Sequence, residues 1–534
     1  MVKKTATLLF CCLIFLSART TTPKLIVFIS IDQMRADYFE RYGKYFTGGF
    51  HRLYTQGIVY THADLNYATS ETGPGHATLG TGCFPWKSGI HGNDWIDHTS
   101  LNDEYCVSDT TAREVEGSGG GMSPKNLQVT AIGDWLKQYS PSSKVIAVST
   151  KDRAAILMGG KHPDAVYWYS KTTGRMVTSS YYMTSFPQWV KEFNNSDWIA
   201  KHVPAEWTKS LPESVYAKIG PDEFEAEAKW GDNTSFPHLF RNGKAAEQIV
   251  GSPYGDKFVI DFTKEAVQHE QLGQRNVTDL LCISLSNCDY VGHAQGPDSH
   301  EMLDLLVKID GYLGDLFTYL DTAVGKDKYI VALSADHAVC PLPEYSARFL
   351  NTSAKRYIYS TDIKPKLDSL QQVLKKELNT TDDVIIKSAF LNYAAAAKVG
   401  LDSIQLEQRV KNGLLSIDAF VDVYFRRELT SREPSHKPFI EKYRHSYYAP
   451  RGEDFQRRIR EYCIISSQPY GTTHGSPYSY DTHIPVIFWW NGVVPKKISH
   501  TVFSADIAPT LATFVGFKFP SGLDGKPLKE VVQR

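Results

Sequence analysis

The chain has 534 residues, of which 42% are hydrophobic, and its 58 basic residues nearly balance its 59 acidic ones. This is a globular composition with enough length for a large core. The near-zero net charge excludes a global field for nucleic acid or an acidic membrane surface, so nucleic-acid binding is not expected and any selectivity for anions must be local.

The N-terminus has the pattern of a secretory signal. Two lysines precede an apolar segment, residues 6–18, that is too short for a typical transmembrane helix. We therefore expect residues 1–20 to be a cleaved signal peptide and residues 21–534 to be a soluble periplasmic or secreted protein. One alternative is a buried N-terminal helix. The other is a lipid anchor at Cys11, which is not favoured because the residue before Cys11 is bulky.

Six cysteines remain after the signal peptide. An even number permits disulfides in an exported chain, but sequence alone does not determine the pairing. No two of them have CxxC spacing, which argues against a thiolate zinc finger. They are Cys83, Cys106, Cys282, Cys288, Cys340 and Cys463.

The first predicted element is the segment 25–31, an unbroken apolar run typical of a strand buried on both faces, and it ends at Asp32. Because ligands of open α/β sheets bind outside the carboxyl ends of the strands, Asp32 is placed where a ligand would lie. Thr72 then precedes Gly-Pro-Gly-His and a small-residue stretch, 77–82, which predicts a tight turn entering a helix. An anion could bind at such a helix start. The alternative role for Thr72 is a helix cap.

Four more apolar segments are predicted to be strands, and reactive side chains adjoin each of them. Segment 144–150 is followed by Lys151 and Arg153, 280–286 by Asp289 and His293, 329–335 by Asp336 and His337, and 484–490 is preceded by His474. We expect these side chains to collect at one edge of a sheet.

Helical patterns lie between the strands, and the clearest is an apolar stripe over residues 302–320. Strands alternating with helices predict a layered α/β fold. Two long intervals interrupt this rhythm, and we expect one core with insertions at about 160–270 and 345–470. The first should contain loops and short elements that wall the site. The second should be a compact α+β insertion with helices at 367–378 and 403–415 and a strand at 420–425.

Seven candidate ligands offer carboxylate, imidazole and hydroxyl donors without thiolates, which suits catalytic zinc. Seven groups suit two ions, which together can clamp the attacking and leaving oxygens of an in-line displacement at phosphorus. Most histidines in a chain are structural, but three here adjoin an Asp or a Gly at a predicted strand edge. The candidates are Asp32, Thr72, Asp289, His293, Asp336, His337 and His474.

Five ordered motifs resemble the alkaline phosphatase superfamily, from about residue 24 to the end of the chain. They are the strand ending in Asp32-Gln33-Met34-Arg35, Thr72-x-Pro-x-His76, Asp289-x-x-x-His293, Asp336-His337 and Gly471-x-x-His474-Gly475, and Asp506–Thr510 with Asp524-Gly525 resembles the C-terminus of that superfamily. The phosphate-irrepressible (PafA-type) alkaline phosphatases are the most similar group. The resemblance implies an alkaline-phosphatase-like layered sheet with helices on both faces. It also implies one zinc at Asp289, His293 and His474, and a second at Asp32, Thr72, Asp336 and His337.

Asn93, Lys151 and Arg153 resemble the PafA-type residues that contact the non-bridging phosphoryl oxygens. A lysine and an arginine match the charge of a monoester dianion better than that of a diester. The alternative for residues 151–153 is a solvated charge cluster. We therefore predict a zinc phosphomonoesterase, expected to be a monomer, that acts on small phosphate esters through a phosphothreonine at Thr72.

Two other functions stay open. A phosphodiesterase of the nucleotide pyrophosphatase type would share the threonine and the metal ligands, and a non-catalytic zinc-dependent binding protein would use the aromatic-rich insertions to hold a glycan or phospholipid. The segment Cys83-Phe-Pro-Trp-Lys87 resembles a sulfatase signature, but its cysteine lies after the Thr-Gly pair and a lysine replaces the required arginine. We interpret Cys83 as structural.

Overall fold

The computed structural model describes residues 22–241, 243–387 and 389–533, so the predicted signal peptide and Cys11 lie outside these ranges. Within them, no helix has the length and apolar character needed to cross a bilayer. The six cysteines downstream of the predicted signal are all buried and unpaired in this structure.

The core is a ten-stranded mixed sheet. In chain order its strands are β1 (Leu25–Ile31), β2 (Ile58–Asp64), β3 (Val145–Ser149), β4 (Ala165–Ser170), β5 (Arg175–Val177), β6 (Asp279–Leu285), β7 (Tyr329–Ser334), β8 (His483–Trp490), β9 (Lys496–Ile498) and β10 (Val502–Phe503). The order across the sheet is β9-β2-β8-β7-β1-β6-β3-β4-β5, and β10 also pairs with β2. The predicted strands are confirmed with small differences at their ends.

The central strands run in one direction and finish together. β7, β1, β6, β3 and β4 are parallel, whereas β8 is antiparallel to β7. Ile31 of β1 pairs with Leu285 of β6, and Ser30 pairs with Ser334 of β7. The residues that follow these strands therefore emerge at the same edge of the sheet.

Helices cover both faces of the sheet, as the resemblance implies. They are α1 (Gly49–Gln56), α2 (Thr72–Thr81), α3 (Ile132–Tyr139), α4 (Asp152–Gly159), α5 (Pro253–His269), α6 (Asn287–Gln295), α7 (His300–Leu320) and α8 (Ile507–Val515). On one face, Tyr167 of β4 packs on Phe262 of α5 with ring centroids 5.1 Å apart. On the other, the Cys282 thiol of β6 lies 3.7 Å from the Met158 carbonyl oxygen of α4. The predicted layered α/β fold is thus observed.

The long helix α7 begins two residues before its predicted start. The Ser299 side chain accepts a hydrogen bond from the Met302 N–H at 3.1 Å and caps the first turn. The apolar stripe that predicted the helix is fully buried and consists of Leu306, Ile309, Leu313, Leu316 and Leu320.

The interval 345–470 builds a second hydrophobic core of its own. Its main elements are helices Lys364–Glu377, Tyr393–Lys398 and Ser403–Leu415, the antiparallel pair Phe420–Phe425 and Phe455–Ile459, and the parallel pair Lys355–Ile358 and Cys463–Ser466. The two predicted helices and the predicted strand are present. The interval 160–270 contains short elements, and it also contributes β4, β5 and α5 to the main layers.

Short elements complete the described chain. The remaining α-helices are Tyr38–Tyr42, Pro85–Ser88, Gln188–Asn194, Trp198–His202, Glu213–Tyr216, Ala245–Gln248, Pro343–Phe349, Arg426–Leu429, Ile440–Ser446, Ser479–Thr482 and Lys529–Val532. The remaining strand pairs are Asp94–Ile96 with Asp103–Tyr105, Ser108–Arg113 with Gly120–Met122, Glu206–Trp207 with His238–Leu239, and Ile385–Ile386 with Phe390–Leu391.

Candidate active site

The seven candidate ligands converge at the edge where the parallel strands end. Asp32 follows β1, and Asp289 and His293 lie one turn apart on α6, which follows β6. The Asp336-His337 pair follows β7. The two remaining candidates, Thr72 and His474, reach the same place from the start of α2 and from the loop before β8.

The first group contains Asp289, His293 and His474. The His293 Nε2 atom lies 3.2 Å from Asp289 Oδ1 and 3.2 Å from His474 Nε2. The distance from His474 Nε2 to Asp289 Oδ1 is 3.5 Å. One carboxylate and two imidazoles thus point at a common centre.

The second group contains Asp32, Asp336 and His337, all fully buried. His337 Nε2 lies 3.6 Å from Asp32 Oδ1 and 3.4 Å from Asp336 Oδ2. The His337 ring also stacks on His474 at a centroid distance of 3.7 Å, and a ligand atom of each lies within 4.8 Å of one from Asp289. The two groups are therefore adjacent, with His337 between them.

Each ligand histidine is oriented by its other ring nitrogen. The Nδ1 atoms of His293, His337 and His474 lie 2.8, 2.9 and 2.6 Å from the backbone carbonyl oxygens of Thr472, Ala338 and Ser70. A carbonyl can only accept, so each Nδ1 carries the hydrogen and each Nε2 presents its lone pair to the centre. This is the usual arrangement of metal-binding histidines.

Two buried polar atoms of the second group, Asp32 Oδ1 and His337 Nε2, have no hydrogen-bond partner among the described residues. The other carboxylate oxygens that face the centre are Asp32 Oδ2, which lies 2.8 Å from Lys151 Nζ, and Asp336 Oδ2, which lies 3.2 Å from His76 Nδ1. Leaving such atoms unpaired in a protein interior is costly. Their convergence fits a bound divalent cation, and carboxylate oxygens with imidazole nitrogens are donors that zinc accepts.

The charges of the site are set by burial and by close neighbours. Burial raises the pKa of Asp32 well above its ordinary value, and the nearby Asp336 raises it further. Burial also acts to raise the pKa of Asp289, but Lys151 and His293 outweigh it and hold that pKa well below its ordinary value. Burial lowers the pKa of His337 to about 3, so its imidazole is neutral and able to bind a metal.

Thr72 is the first residue of α2, so the predicted turn before the helix is wrong: the helix already includes Gly73-Pro74-Gly75. A proline is tolerated in the first helical turn because its missing N–H would have no intrahelical partner there. Glu71, not Thr72, occupies the cap position. The buried Thr72 hydroxyl is therefore free for a role other than capping.

Two cations flank the Thr72 hydroxyl. Lys151 Nζ and Arg153 Nη2 each lie 3.3 Å from Thr72 Oγ1. The Lys151 ammonium is 4% exposed and also contacts the carboxylates of Asp32 and Asp289 at 2.8 and 2.6 Å. Such burial contradicts a solvated charge cluster. Burial acts to lower the pKa of Lys151, but Asp289 and Asp32 outweigh it and raise that pKa above its ordinary value, so the ammonium stays charged.

Asn93 lies against the first turn of α2. Its Oδ1 atom accepts a hydrogen bond from the Gly73 N–H at 2.7 Å, and its backbone N–H donates to Glu71 Oε2 at 2.8 Å. The side-chain carbonyl is thus engaged, which leaves the Asn93 amide hydrogens to donate to a ligand.

Three polar residues support the site in roles that the sequence did not predict. Gln33 donates from Nε2 to Asp289 Oδ1 at 2.8 Å and from its backbone N–H to Asp336 Oδ1 at 3.1 Å. Tyr105 accepts from Arg153 Nη1 at 3.3 Å. The third is His76, whose Nδ1 lies 3.2 Å from Asp336 Oδ2. Gln33 and His76 lie inside recognised motifs, whereas Tyr105 carried no sequence signal.

Cys83 is buried, and burial raises the pKa of its thiol to about 11. A protonated, inaccessible thiol is unreactive. This agrees with the structural interpretation of Cys83.

Comparisons with known proteins agree with the geometry. The family described as "Type I phosphodiesterase / nucleotide pyrophosphatase" matches residues 26–397. The chain is 35% identical to alkaline phosphatase PhoV of Synechococcus elongatus, over 96% of this chain and 93% of PhoV. It is 33% identical to alkaline phosphatase PafA of Elizabethkingia meningoseptica, over 96% of this chain and 95% of PafA.

The crystal structure of wild-type PafA matches this fold with a TM-score of 0.88 at 31% identity, covering 96% of this chain and 99% of that one. The predicted superfamily and fold are confirmed. The chain therefore belongs to the type I phosphodiesterase/nucleotide pyrophosphatase family and, within it, to the alkaline phosphatases that resemble PafA.

Proposed function

We propose that this chain is an exported phosphomonoesterase that hydrolyses small phosphate esters with Thr72 as the nucleophile. The observation that carries the proposal is the position of Thr72 Oγ1, which lies 3.3 Å from both Lys151 Nζ and Arg153 Nη2 at the start of a helix. A nucleophile, two cations and a helix N-terminus in one place suit attack on a phosphoryl dianion.

Two zinc ions would be held beside Thr72, one by Asp289, His293 and His474 and the other by Asp32, Thr72, Asp336 and His337. Asp32 Oδ1, which has no partner among the described residues, the grouped carboxylates and the oriented Nε2 atoms support this assignment. When bound, such ions supply positive charge to the attacking and leaving oxygens of the displacement.

The side chains divide the remaining work. Thr72 Oγ1 loses its proton and attacks phosphorus, and the bond from phosphorus to the ester oxygen breaks as the alcohol leaves with a proton. Lys151, Arg153 and the Asn93 amide bind the non-bridging oxygens. Water then hydrolyses the phosphothreonine, which releases inorganic phosphate and restores Thr72.

A phosphodiesterase of the nucleotide pyrophosphatase type is the second candidate, since the matching family includes that activity in its description. Two cations at Thr72 favour the monoester, because a dianion offers more charge to a lysine and a bidentate arginine than a diester monoanion does.

The test replaces Thr72 with Ala. We expect kcat/KM for an aryl phosphate monoester to fall by about 10³-fold or more, because the covalent step is lost. Thr78→Ala is the matched control, since the Thr78 hydroxyl lies on the same helix and donates a hydrogen bond to the Pro74 carbonyl oxygen at 2.8 Å. Retention of most activity by Thr72→Ala would refute the mechanism. The wild-type enzyme should also prefer the monoester to its methyl diester, and the opposite preference would favour the phosphodiesterase.

For the whole chain, we propose a catalytic domain over residues 21–534 with insertions at about 160–270 and 345–470. The separate hydrophobic core of the second interval supports this organisation. A cleaved signal peptide at residues 1–20, export and a monomeric state complete the proposal. The apolar N-terminal segment supports the signal peptide and export. The monomeric state is supported by two groups of candidate ligands that one chain brings together, Asp289 with His337 and His474, and Asp32 with Asp336 and His337.

A further inference from the structure

We propose that a strip of four cations beside the active site binds a second phosphate group of the substrate, so that the enzyme prefers phosphomonoesters whose leaving group is itself phosphorylated. The inference rests on the phosphomonoesterase function proposed above. The cationic strip consists of Lys171, Lys229, Arg241 and Lys244.

The strip begins at Lys171, in the turn between β4 and β5. This turn follows the carboxyl end of β4, at the edge of the sheet that carries the active site. Lys171 Nζ lies 4.3 Å from the centroid of the Tyr290 ring, and Lys151 Nζ lies 5.2 Å from the same centroid. The Tyr290 ring therefore contacts both Lys151, the cation beside Thr72, and Lys171, an exposed cation.

The strip continues along the outer side of α6. Ala294 lies one turn after Tyr290, and its carbonyl oxygen accepts a hydrogen bond from the Ala228 N–H at 2.8 Å. This bond fixes the backbone next to Lys229 against α6. Lys171 therefore contacts α6 at Tyr290, and the residue before Lys229 is bonded to the same helix at Ala294.

Lys229 opens onto a surface cavity of about 300 Å³ whose lining also includes Arg241 and Lys244. The β4–β5 hairpin adjoins this cavity, because the Tyr169 hydroxyl donates to the Ala246 carbonyl oxygen at 2.7 Å. The hairpin that carries Lys171 and the cavity that contains the other three cations are therefore neighbours.

The strip carries uncompensated positive charge. Among the described residues, none of its four cations has a carboxylate oxygen within 4.0 Å, and Glu247 is the only acidic residue in the cavity lining. The chain as a whole has a net charge of −1, so this excess is local. Clustered charge of one sign attracts a ligand of the opposite sign.

The strip is suited to the leaving group and not to the transferred phosphoryl group. Lys151 and Arg153 already lie beside Thr72 Oγ1, whereas Lys171 is exposed and contacts the ring of Tyr290, the residue after Asp289. A second phosphate on the departing alcohol would extend outward and meet Lys171 first. Substrates with a longer or more highly phosphorylated leaving group would reach the cavity.

The experiment compares 1,6-hexanediol bisphosphate with hexyl phosphate, which have the same carbon chain and leaving-group chemistry. The measured quantity is the ratio of their kcat/KM values in wild type, Lys171→Gln, Arg241→Gln and the double variant. Lys398→Gln is the matched control, since Lys398 is an exposed lysine in the second core region.

We expect the bisphosphate to be preferred by the wild type and by the control. Each single variant should reduce the ratio about two- to fivefold, because that factor corresponds to the interaction energy of one exposed charge pair. The double variant should reduce the ratio further. Raising the salt concentration to 1 M should weaken the wild-type preference, because the charges are screened. Lys171→Arg should retain the ratio.

An unchanged ratio in both single variants would overturn the proposal, and so would an equal reduction by Lys398→Gln. Either result leaves hydrolysis of hexyl phosphate intact. Failure of the proposed function would instead show as no hydrolysis of either compound by the zinc-loaded wild-type enzyme, so the two failures are distinguishable.

Discussion

At the scale of single residues, His76 connects the proposed nucleophile to a proposed metal ligand. Its Nδ1 lies 2.9 Å from the Thr72 carbonyl oxygen and 3.2 Å from Asp336 Oδ2, and its Nε2 lies 2.8 Å from the Ser284 hydroxyl. The ring is fully buried. His76 is therefore a positioning residue that fixes the direction of the Asp336 carboxylate.

We predict that His76→Ala weakens zinc binding about 10- to 100-fold, the usual effect of losing a partner that orients a ligand. Competition with a chromogenic chelator measures this affinity directly. His91→Ala is the control for loss of a buried imidazole, because His91 packs on Trp95 and, among the described residues, has no contact with a proposed ligand. Equal zinc affinities in the two variants would show that His76 has only a packing role.

At the scale of elements, the site depends on how closely α2 approaches the end of β7. Gly75 of α2 lies directly against Asp336. A Cβ atom placed on Gly75 would be 2.4 Å from the Asp336 carbonyl oxygen and 2.6 Å from Asp336 Cβ. Only a residue without a side chain lets the helix that begins at Thr72 lie against the strand end that carries Asp336.

We predict that Gly75→Ala lowers the free energy of unfolding by about 1–3 kcal/mol through overpacking and reduces kcat by moving α2 away from Asp336. Urea unfolding and monoester kinetics measure the two effects. Gly311→Ala is the control in α7, where an added Cβ meets no atom within 4 Å. That change should stabilise the protein by about 0.5–1 kcal/mol. Wild-type stability and activity in Gly75→Ala would contradict the prediction.

The predictable elements share one physical property. Five strands lie inside the sheet with both faces covered, so the sequence of each is a continuous apolar run. They are β1, β3, β6, β7 and β8. β2 has no such run, since its sequence Ile-Val-Tyr-Thr-His-Ala-Asp is only partly apolar, and it was not predicted. Nothing local in the sequence specifies that β8 is antiparallel, because strand order depends on contacts between distant segments.

The residues of the site differ in the same way. Asp32, Asp336 and His337 were predictable because they directly follow strands. The support from Gln33 to Asp289 joins residues 256 positions apart, and only folding brings them together. Tyr105 escaped for the same reason, since its partner Arg153 is 48 positions away.

At the scale of the whole molecule, folding gathers buried charge that the protein alone does not neutralise. Asp32, Asp289 and Asp336 are at most 3% exposed, and Lys151 is the one buried lysine among the described residues. Burying more carboxylates than cations is costly, so the fold should be stabilised by whatever cation binds there.

We predict that chelation lowers the thermal unfolding midpoint of the enzyme and that added zinc restores it. Binding at a thousand times the dissociation constant stabilises a fold by about 4 kcal/mol. Differential scanning calorimetry with and without chelator, on protein of measured metal content, tests this. Identical midpoints for metal-loaded and metal-stripped protein would refute the stabilising role of the metal.

The antiparallel direction of β8 affects when the site can form during synthesis. His474 stands before β8, which must run back along β7 to hold the preceding loop in place. A growing chain therefore contains the second group, Asp32, Asp336 and His337, long before its last imidazole arrives. The first group, Asp289, His293 and His474, is completed only after β8 has been synthesised, so the two groups become available at different stages of translation.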